Sequence, residues 1–175
     1  MVDDSTSILD VRDVSRNWYS GGMPSTPAVP WLEESEMELW RAWLRVQTDL
    51  PAAMGRALHA DSELSLQDFE TLVRLSEAEE GRLRVSALAE QMHWERSRLS
   101  HHLRRMGGRG LVEKVECAED GRGAFVVLTD AGREALEGAA PDHVRTVRRL
   151  FFDGMGEAER EVLSSFLRRV VERTS

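Results

Sequence analysis

A run of basic and hydroxyl side chains between residues 95 and 110 has the chemistry of nucleic-acid binding. Five arginines stand there against one acid, Glu95. Arginine donates paired hydrogen bonds to phosphates and guanines, and serine and histidine can also donate to phosphates or base edges. The candidate DNA-contacting side chains of this stretch are Arg96, Ser97, Arg98, Ser100, His101, His102, Arg104 and Arg105.

An apolar stripe through the same stretch predicts how these side chains are presented. Leu99, Leu103 and Met106 recur at intervals of four and three, which places them on one buried face of a helix over 95–108. Such a helix fits the major groove of B-DNA, about 12 Å wide. Helical geometry assigns Arg96, Ser97, Ser100, His101 and Arg104 to base edges, and Arg98, His102 and Arg105 to phosphates. A plain polar surface position is the alternative for His102.

The segments around this helix predict a winged helix-turn-helix. A short apolar-faced helix precedes it, and Ser86 can cap that helix and is a further candidate DNA contact. Strands over 111–115 and 125–128 then form a hairpin, because 119–123 carries Asp-Gly turn chemistry. The order of helix, turn, basic helix and hairpin is that of a winged DNA-binding domain.

These motifs resemble the MarR family of bacterial transcription regulators. The resemblance lies in the helix exit Arg109-Gly110-Leu111-Val112, the wing residues Asp120-Gly121-Arg122, and the step from Leu128 to Gly132. It implies a mainly α fold with a small β-hairpin wing, in which a winged helix-turn-helix stands on a helical dimerisation base. It also implies that Arg122 contacts a minor groove or phosphate, with Asp120 bracing it. Glu95 departs from the serine cap common in that family.

The charge distribution agrees with DNA as a partner, although the net charge is −8. Residues 1–81 carry 6 basic and 16 acidic side chains, whereas residues 82–122 carry 9 basic and 6 acidic ones. Screening limits exposed charges to a range of about 8 Å, so the local basic patch decides attraction to DNA. No signal peptide, no apolar stretch of membrane length and a single cysteine, Cys117, predict a cytoplasmic protein with no membrane partner.

Three regions are predicted along the chain. Residues 1–30 form an extension or linker, either a mobile tail or a docked arm; residues 63–130 form the DNA-binding domain. Residues 31–62 and 131–175 form the helical dimerisation region, because paired apolar residues repeat every four positions in the last helix and make a wide apolar face. Intramolecular packing alone is the alternative for that face.

Four aromatic side chains are candidates for an effector pocket. The resemblance implies that a small aromatic compound can bind where the helical base meets the winged domain. Aromatic residues at helical spacing can equally be core. The candidate pocket residues are Trp40, Trp43, Phe69 and Trp94.

Other classes of function have little support in the sequence. No phosphate-binding, hydrolase or metalloprotease motif is found, so we expect no enzyme and no cofactor. Adjacent His101 and His102 diverge by about 100° on a helix and cannot share one metal ion, so no metal site is expected. Redox sensing by Cys117 and a protein-interaction module without DNA binding remain alternatives. The favoured hypothesis is a homodimeric, ligand-responsive repressor of a pseudo-palindromic operator.

Overall fold

The computed structural model describes residues 31–116 and 123–174. The predicted N-terminal extension, Cys117 and the hairpin tip with Asp120 and Arg122 lie outside the described residues. The chain divides between Leu50 and Pro51 into two units. Helix α1 (Glu34–Asp61) begins in the first unit and includes Pro51 in its interior.

Helix α2 (Leu66–Glu77) begins at a complete capping box. The Ser65 hydroxyl accepts the Asp68 amide at 3.1 Å, and the Asp68 carboxylate accepts the Ser65 amide at 3.0 Å. Two of the amide groups that a helix start leaves without partners are satisfied in this way. A serine followed three positions later by an acidic residue is the sequence signature of such a start.

The helix-turn-helix follows a short strand. Strand β1 (Arg82–Arg84) leads directly into helix α3 (Val85–Gln91), and helix α4 (Arg96–Gly108) follows after a tight turn. Because Arg84 takes the cap position of α3, Ser86 lies within the first turn and caps nothing; that expectation was wrong. Gly110, with φ 74°, supplies the left-handed residue that ends the α4 segment.

A three-stranded antiparallel sheet forms the wing. Strands β2 (Val112–Glu116) and β3 (Ala124–Leu128) pair as the predicted hairpin, with Val112 opposite Leu128. Strand β1 pairs with the other edge of β3, so the order is β1-β3-β2. The sequence did not predict β1, since three residues form a strand only when another edge supplies their hydrogen bonds.

Helices α5 (Asp130–Val147) and α6 (Glu157–Thr174) end the described chain, joined through a π-helical turn at Arg148–Phe152. Thr129 caps α5 by accepting the Gly132 amide at 3.0 Å. The helix continues through Pro141 to Val147. The mainly α fold with a small wing is thereby confirmed.

The core lies within the winged domain. Apolar side chains of α2, α3 and α4 converge on the inner face of the sheet, where Leu72, Leu75, Leu88, Leu99 and Val126 have no exposed surface. The Leu99, Leu103 and Met106 stripe is buried as predicted, and it directs the opposite face of α4 to solvent. None of the helices in the described part of the chain has the length and apolar character needed to cross a membrane.

Candidate nucleic-acid interface

The outer face of α4 carries the predicted polar and cationic side chains. Its amphipathic spacing leaves them no other position once the apolar stripe is buried. No side chain caps the helix at Glu95, so its first amide groups are open to an anionic partner. The exposed members of the predicted set are Arg96, Ser97, Arg98, Ser100, His101, Arg104 and Arg105.

A groove of about 680 Å³ runs between α4 and the wing strands. Its lining includes the predicted Arg96, Ser100, Arg104 and Ser86. Arg84 and Lys114 line it too, although sequence reasoning assigned no role to either. Four cations and one acid, Glu116, give the groove an excess of positive charge. The groove therefore extends the cationic face of α4 toward the wing.

Two arginines of β1 are held against the wing by an aromatic ring. The guanidinium carbons of Arg82 and Arg84 lie 5.4 and 5.1 Å from the centre of the Phe125 ring. Cation–π contacts of this kind orient a guanidinium, and Arg82 Nη2 also pairs with Glu80 Oε2 at 2.7 Å. The alternation of arginine, Leu83 and arginine is the signal that could have indicated a strand with both arginines on one face.

Arg98 is oriented by Trp94. Its guanidinium carbon lies 4.0 Å from the indole centre, at the start of α4. The indole is also edge-on to the His102 ring, with ring centres 5.2 Å apart. Trp94 thus contacts two side chains of the basic helix, Arg98 and His102.

The structure places His102 differently from the position predicted from the sequence. The histidine was expected at the surface or on a phosphate, but only 3% of the residue is exposed, so both expectations were wrong. The residue lies on the inner edge of the apolar stripe, next to Leu99 and Leu103. Helical spacing alone could not place it, because a histidine at the border of a stripe can turn inward or outward.

A carboxylate from α2 explains the inward position. Asp68 Oδ1 lies 3.4 Å from His102 Nε2, and the Thr71 hydroxyl also lies 3.4 Å from that nitrogen. Arg109 Nη1 donates to Asp68 Oδ2 at 2.8 Å, and Arg109 Nη2 donates to the Glu63 carbonyl at 2.7 Å. Asp68 therefore ties α2 both to the middle of α4 and to the turn that follows it.

The protonation states of this cluster follow from burial and charge. Burial by itself would raise the pKa of Asp68, but hydrogen bonds from the Ser65 amide, Arg109 and the Ser65 hydroxyl hold it below its usual value. Burial lowers the pKa of His102; the Asp68 carboxylate opposes that effect, and the Arg105 charge adds to it. At neutral pH the cluster is consequently an ionised aspartate beside a neutral histidine.

Comparison with known proteins decides the family. The MarR family model matches residues 64–123. The crystal structure of AbsC, a MarR family transcriptional regulator from Streptomyces coelicolor, is 37% identical, covers 83% of this chain and 98% of that one, and superposes with a TM-score of 0.77. The chain belongs to the MarR family. It is a DNA-binding transcription regulator of the winged helix-turn-helix class, as the motifs predicted.

Two further relatives agree with this assignment. Sco3205, a MarR family regulator of Streptomyces coelicolor solved in complex with DNA, is 35% identical, with a TM-score of 0.78 and coverage of 84% of this chain and 92% of that one. The uncharacterized HTH-type transcriptional regulator YdgJ of Bacillus subtilis (strain 168) is 27% identical over 117 residues, which are 67% of this chain and 70% of that protein.

The candidate effector residues of this MarR-family chain lie in different surroundings. Phe69 is buried in the core, and its ring centre lies 4.3 Å from that of His143 on α5. Trp94 packs against the core beside α4. On α1, Trp40 is 39% exposed and Trp43 is half-buried. An effector pocket formed by these four residues stays a prediction.

Metal chemistry has no site within residues 31–116 and 123–174 of this MarR-family chain. No three histidine, cysteine, aspartate or glutamate side chains there lie close enough together to hold an ion. Redox sensing by Cys117 stays an alternative, since that residue lies outside the described ranges.

Proposed function

We propose that this MarR-family regulator binds a pseudo-palindromic operator as a homodimer and represses transcription until a small aromatic ligand releases it. The observation that carries the DNA-binding part is the exposed cationic face of α4, continuous with a cationic groove that reaches the wing. The proposal includes a cytoplasmic location and assigns no catalytic activity and no cofactor to the chain.

Helix α4 is the reading element of this proposal. Thirteen residues make a rod of about 20 Å, which the major groove accommodates. Ser97, Ser100, His101 and Arg104, with Arg96 at the N-terminus, face base edges. Arg98 and Arg105 bind phosphates, and the orientation of Arg98 by Trp94 suits that role.

The wing and the groove complete the footprint. Arg122, braced by Asp120, enters the adjacent minor groove or binds its phosphates. Ser86, at the first turn of α3, lies on the groove beside Arg84 and Lys114, where a DNA backbone following α4 would pass.

Homodimerisation is supported by apolar surface that the described part of a single chain leaves uncovered. Among the described residues of α6, none is buried, and Val162, Phe166 and Val171 are 71%, 45% and 60% exposed. Large exposed patches of this kind mark protein interfaces. We assign the dimerisation base to residues 31–62 and 131–175, and two-fold symmetry then sets half-sites about 34 Å apart, centre to centre.

Release by a ligand follows from the same arrangement. The two DNA-binding domains of the dimer are joined through one dimerisation base. A compound that binds preferentially to the dimer with one spacing of these domains shifts the protein toward that spacing. Trp40, Trp43, Phe69 and Trp94 are the candidate contacts for an aromatic effector. Release of bound DNA by such compounds, but not by aliphatic analogues of similar size, tests this part of the proposal.

The direct test is a titration of the purified protein onto duplex DNA across a range of salt concentrations. The duplex carries a site enriched from random sequence, and a scrambled duplex is the reference. We expect selective binding that weakens steeply as salt rises, because bound arginines displace counterions from phosphates. Equal binding to both duplexes would contradict sequence-specific regulation, and no binding to either would favour the alternative, a winged module that binds proteins.

One substitution assigns the reading face. Arg104→Ala should weaken selective binding by about 1–3 kcal/mol if Arg104 reads a guanine. An equal loss on the scrambled duplex would assign Arg104 to a phosphate instead. Arg45→Ala is the matched control, because Arg45 is an exposed arginine on α1, paired at 3.9 Å with Asp49 and outside the winged domain.

A further inference from the structure

His102 is a polar side chain that the reading helix turns inward. Its neighbours on the buried side of α4 are the apolar residues Leu99, Leu103 and Met106. A buried polar group costs free energy unless every polar atom finds a partner. Both ring nitrogens of His102 do find partners, and one partner lies on the DNA-facing side of the helix.

The partners fix the tautomer of the ring. Arg105 Nη2 lies 3.3 Å from His102 Nδ1, and a guanidinium nitrogen can only donate, so Nδ1 accepts. The proton of the neutral ring is therefore on Nε2, where it faces Asp68 Oδ1 and the Thr71 hydroxyl. This single arrangement gives each ring nitrogen a partner of the right kind.

We propose that His102 is a positioning residue for DNA binding, held by Asp68 on one side and orienting the Arg105 guanidinium for a phosphate on the other. Protonation of the ring replaces the Nδ1 acceptor with a donor, so Arg105 loses its orienting contact. The proposal rests on the proposed function, specifically on Arg105 binding a DNA phosphate.

The charges around the ring determine the direction of this effect. Asp68 on α2 faces Nε2, and its other oxygen is taken by Arg109. Arg105 contributes positive charge at Nδ1, and Arg98 of α4 contributes a second positive charge. Burial and these two arginines lower the pKa of His102 more than Asp68 and a hydrogen bond to the Gln67 backbone raise it, so the acceptor is present at neutral pH and is lost on acidification.

The test compares four single variants and one double variant in the duplex titration, from about pH 7.5 to about pH 5. Arg105→Ala removes the orienting contact and the charge. His102→Gln places its amide near the Nε2 position and leaves Arg105 without an acceptor. His102→Asn places its amide oxygen near the Nδ1 position and keeps the acceptor at every pH. His93→Asn is the matched control, since His93 is an exposed histidine whose positive φ of 51° suits asparagine.

At neutral pH we expect Arg105→Ala and His102→Gln to weaken binding to both duplexes, by up to about tenfold each. For Arg105→Ala the slope of log affinity against log salt should fall by about one. His102→Asn should bind as the wild type does. On acidification the wild type and His93→Asn should lose affinity relative to His102→Asn. In the Arg105→Ala background, His102→Gln should add no further loss.

The outcomes separate the two proposals. If the wild type binds DNA but Arg105→Ala binds as tightly, the assigned phosphate contact of Arg105 fails. If Arg105→Ala weakens binding while His102→Gln does not, or if His102→Gln weakens it equally without Arg105, the positioning role of His102 is overturned. A nitrogen-detected NMR measurement of the wild-type imidazole needs no variant, and a proton on Nδ1 at neutral pH would overturn the role as well.

Discussion

Single side chains set the response of this protein to acid, and His143 is the clearest case for its stability. Burial lowers the pKa of His143, and Glu70 opposes that effect only in part. Its Nδ1 is buried and has no hydrogen-bond partner among the described residues. A histidine with a depressed pKa contributes stability above its unfolded pKa of about 6.5, and that contribution is lost as pH falls through the folded pKa.

His143→Phe should therefore flatten the pH dependence of the free energy of unfolding below about pH 6.5. The new ring keeps the packing against Phe69 and removes both the titration and the unpaired nitrogen. Urea denaturation at several pH values measures the effect, with His59→Asn as the control because His59 is exposed on α1. An unchanged slope relative to the wild type would show that folding does not lower the pKa of His143.

At the scale of elements, the junction of the wing with α5 depends on a close backbone approach. Gly132 is buried in the first turn of α5, and a Cβ added there would overlap the Leu111 carbonyl oxygen and approach Leu128 Cδ1 to 2.9 Å. The Thr129 hydroxyl fixes the same junction, because it accepts the Gly132 amide and donates to the Gly110 carbonyl at 2.6 Å. This packing explains the threonine and glycine spacing that the sequence shows after β3.

Gly132→Ala should lower the free energy of unfolding by about 1–3 kcal/mol, because the carbonyl is backbone and cannot move aside cheaply. Gly138→Ala in the same helix is the matched control; a Cβ there meets nothing within 4 Å. Alanine has a higher helix propensity than glycine, so Gly138→Ala should leave the free energy of unfolding unchanged or raise it. Equal effects of the two substitutions in thermal or urea denaturation would contradict the close approach.

At the scale of the whole molecule, the oligomeric state is expected to depend on the apolar face of α6. The apolar residues of α6 repeat every four positions, yet none of them is buried within the described chain, and Val162, Phe166 and Val171 are exposed. Val162→Glu should convert a dimer to a monomer in sedimentation or light scattering, because a charge placed in an apolar interface is desolvated without a partner. The winged domain should stay folded.

The accompanying control is Glu161→Gln, an exposed neighbour on the same helix. The monomer should lose affinity for a two-half-site duplex and keep its affinity for a single half-site. A variant that still sediments as a dimer would move the interface away from α6, and a wild type that is monomeric would contradict the homodimer.

Features that depend on residues close together in the sequence could be predicted from the sequence by itself. The stripe of Leu99, Leu103 and Met106 determined that α4 forms and which face is cationic, since helical period and side-chain charge are both local. The Ser65 and Thr129 caps, the β2–β3 hairpin and the family motifs were readable for the same reason. The exposed candidate contacts of α4 followed directly, although their individual roles on DNA remain predictions.

Features that depend on contacts between residues distant in the sequence were decided only by the tertiary structure. β1 exists because β3 offers it an edge, and Arg84 reaches the groove only through that pairing. His102 turns inward because Asp68, thirty-four positions earlier, supplies a carboxylate at its Nε2. A pattern with a period of a few residues cannot encode such a partner, since the pairing energy appears only when the chain brings the two groups together.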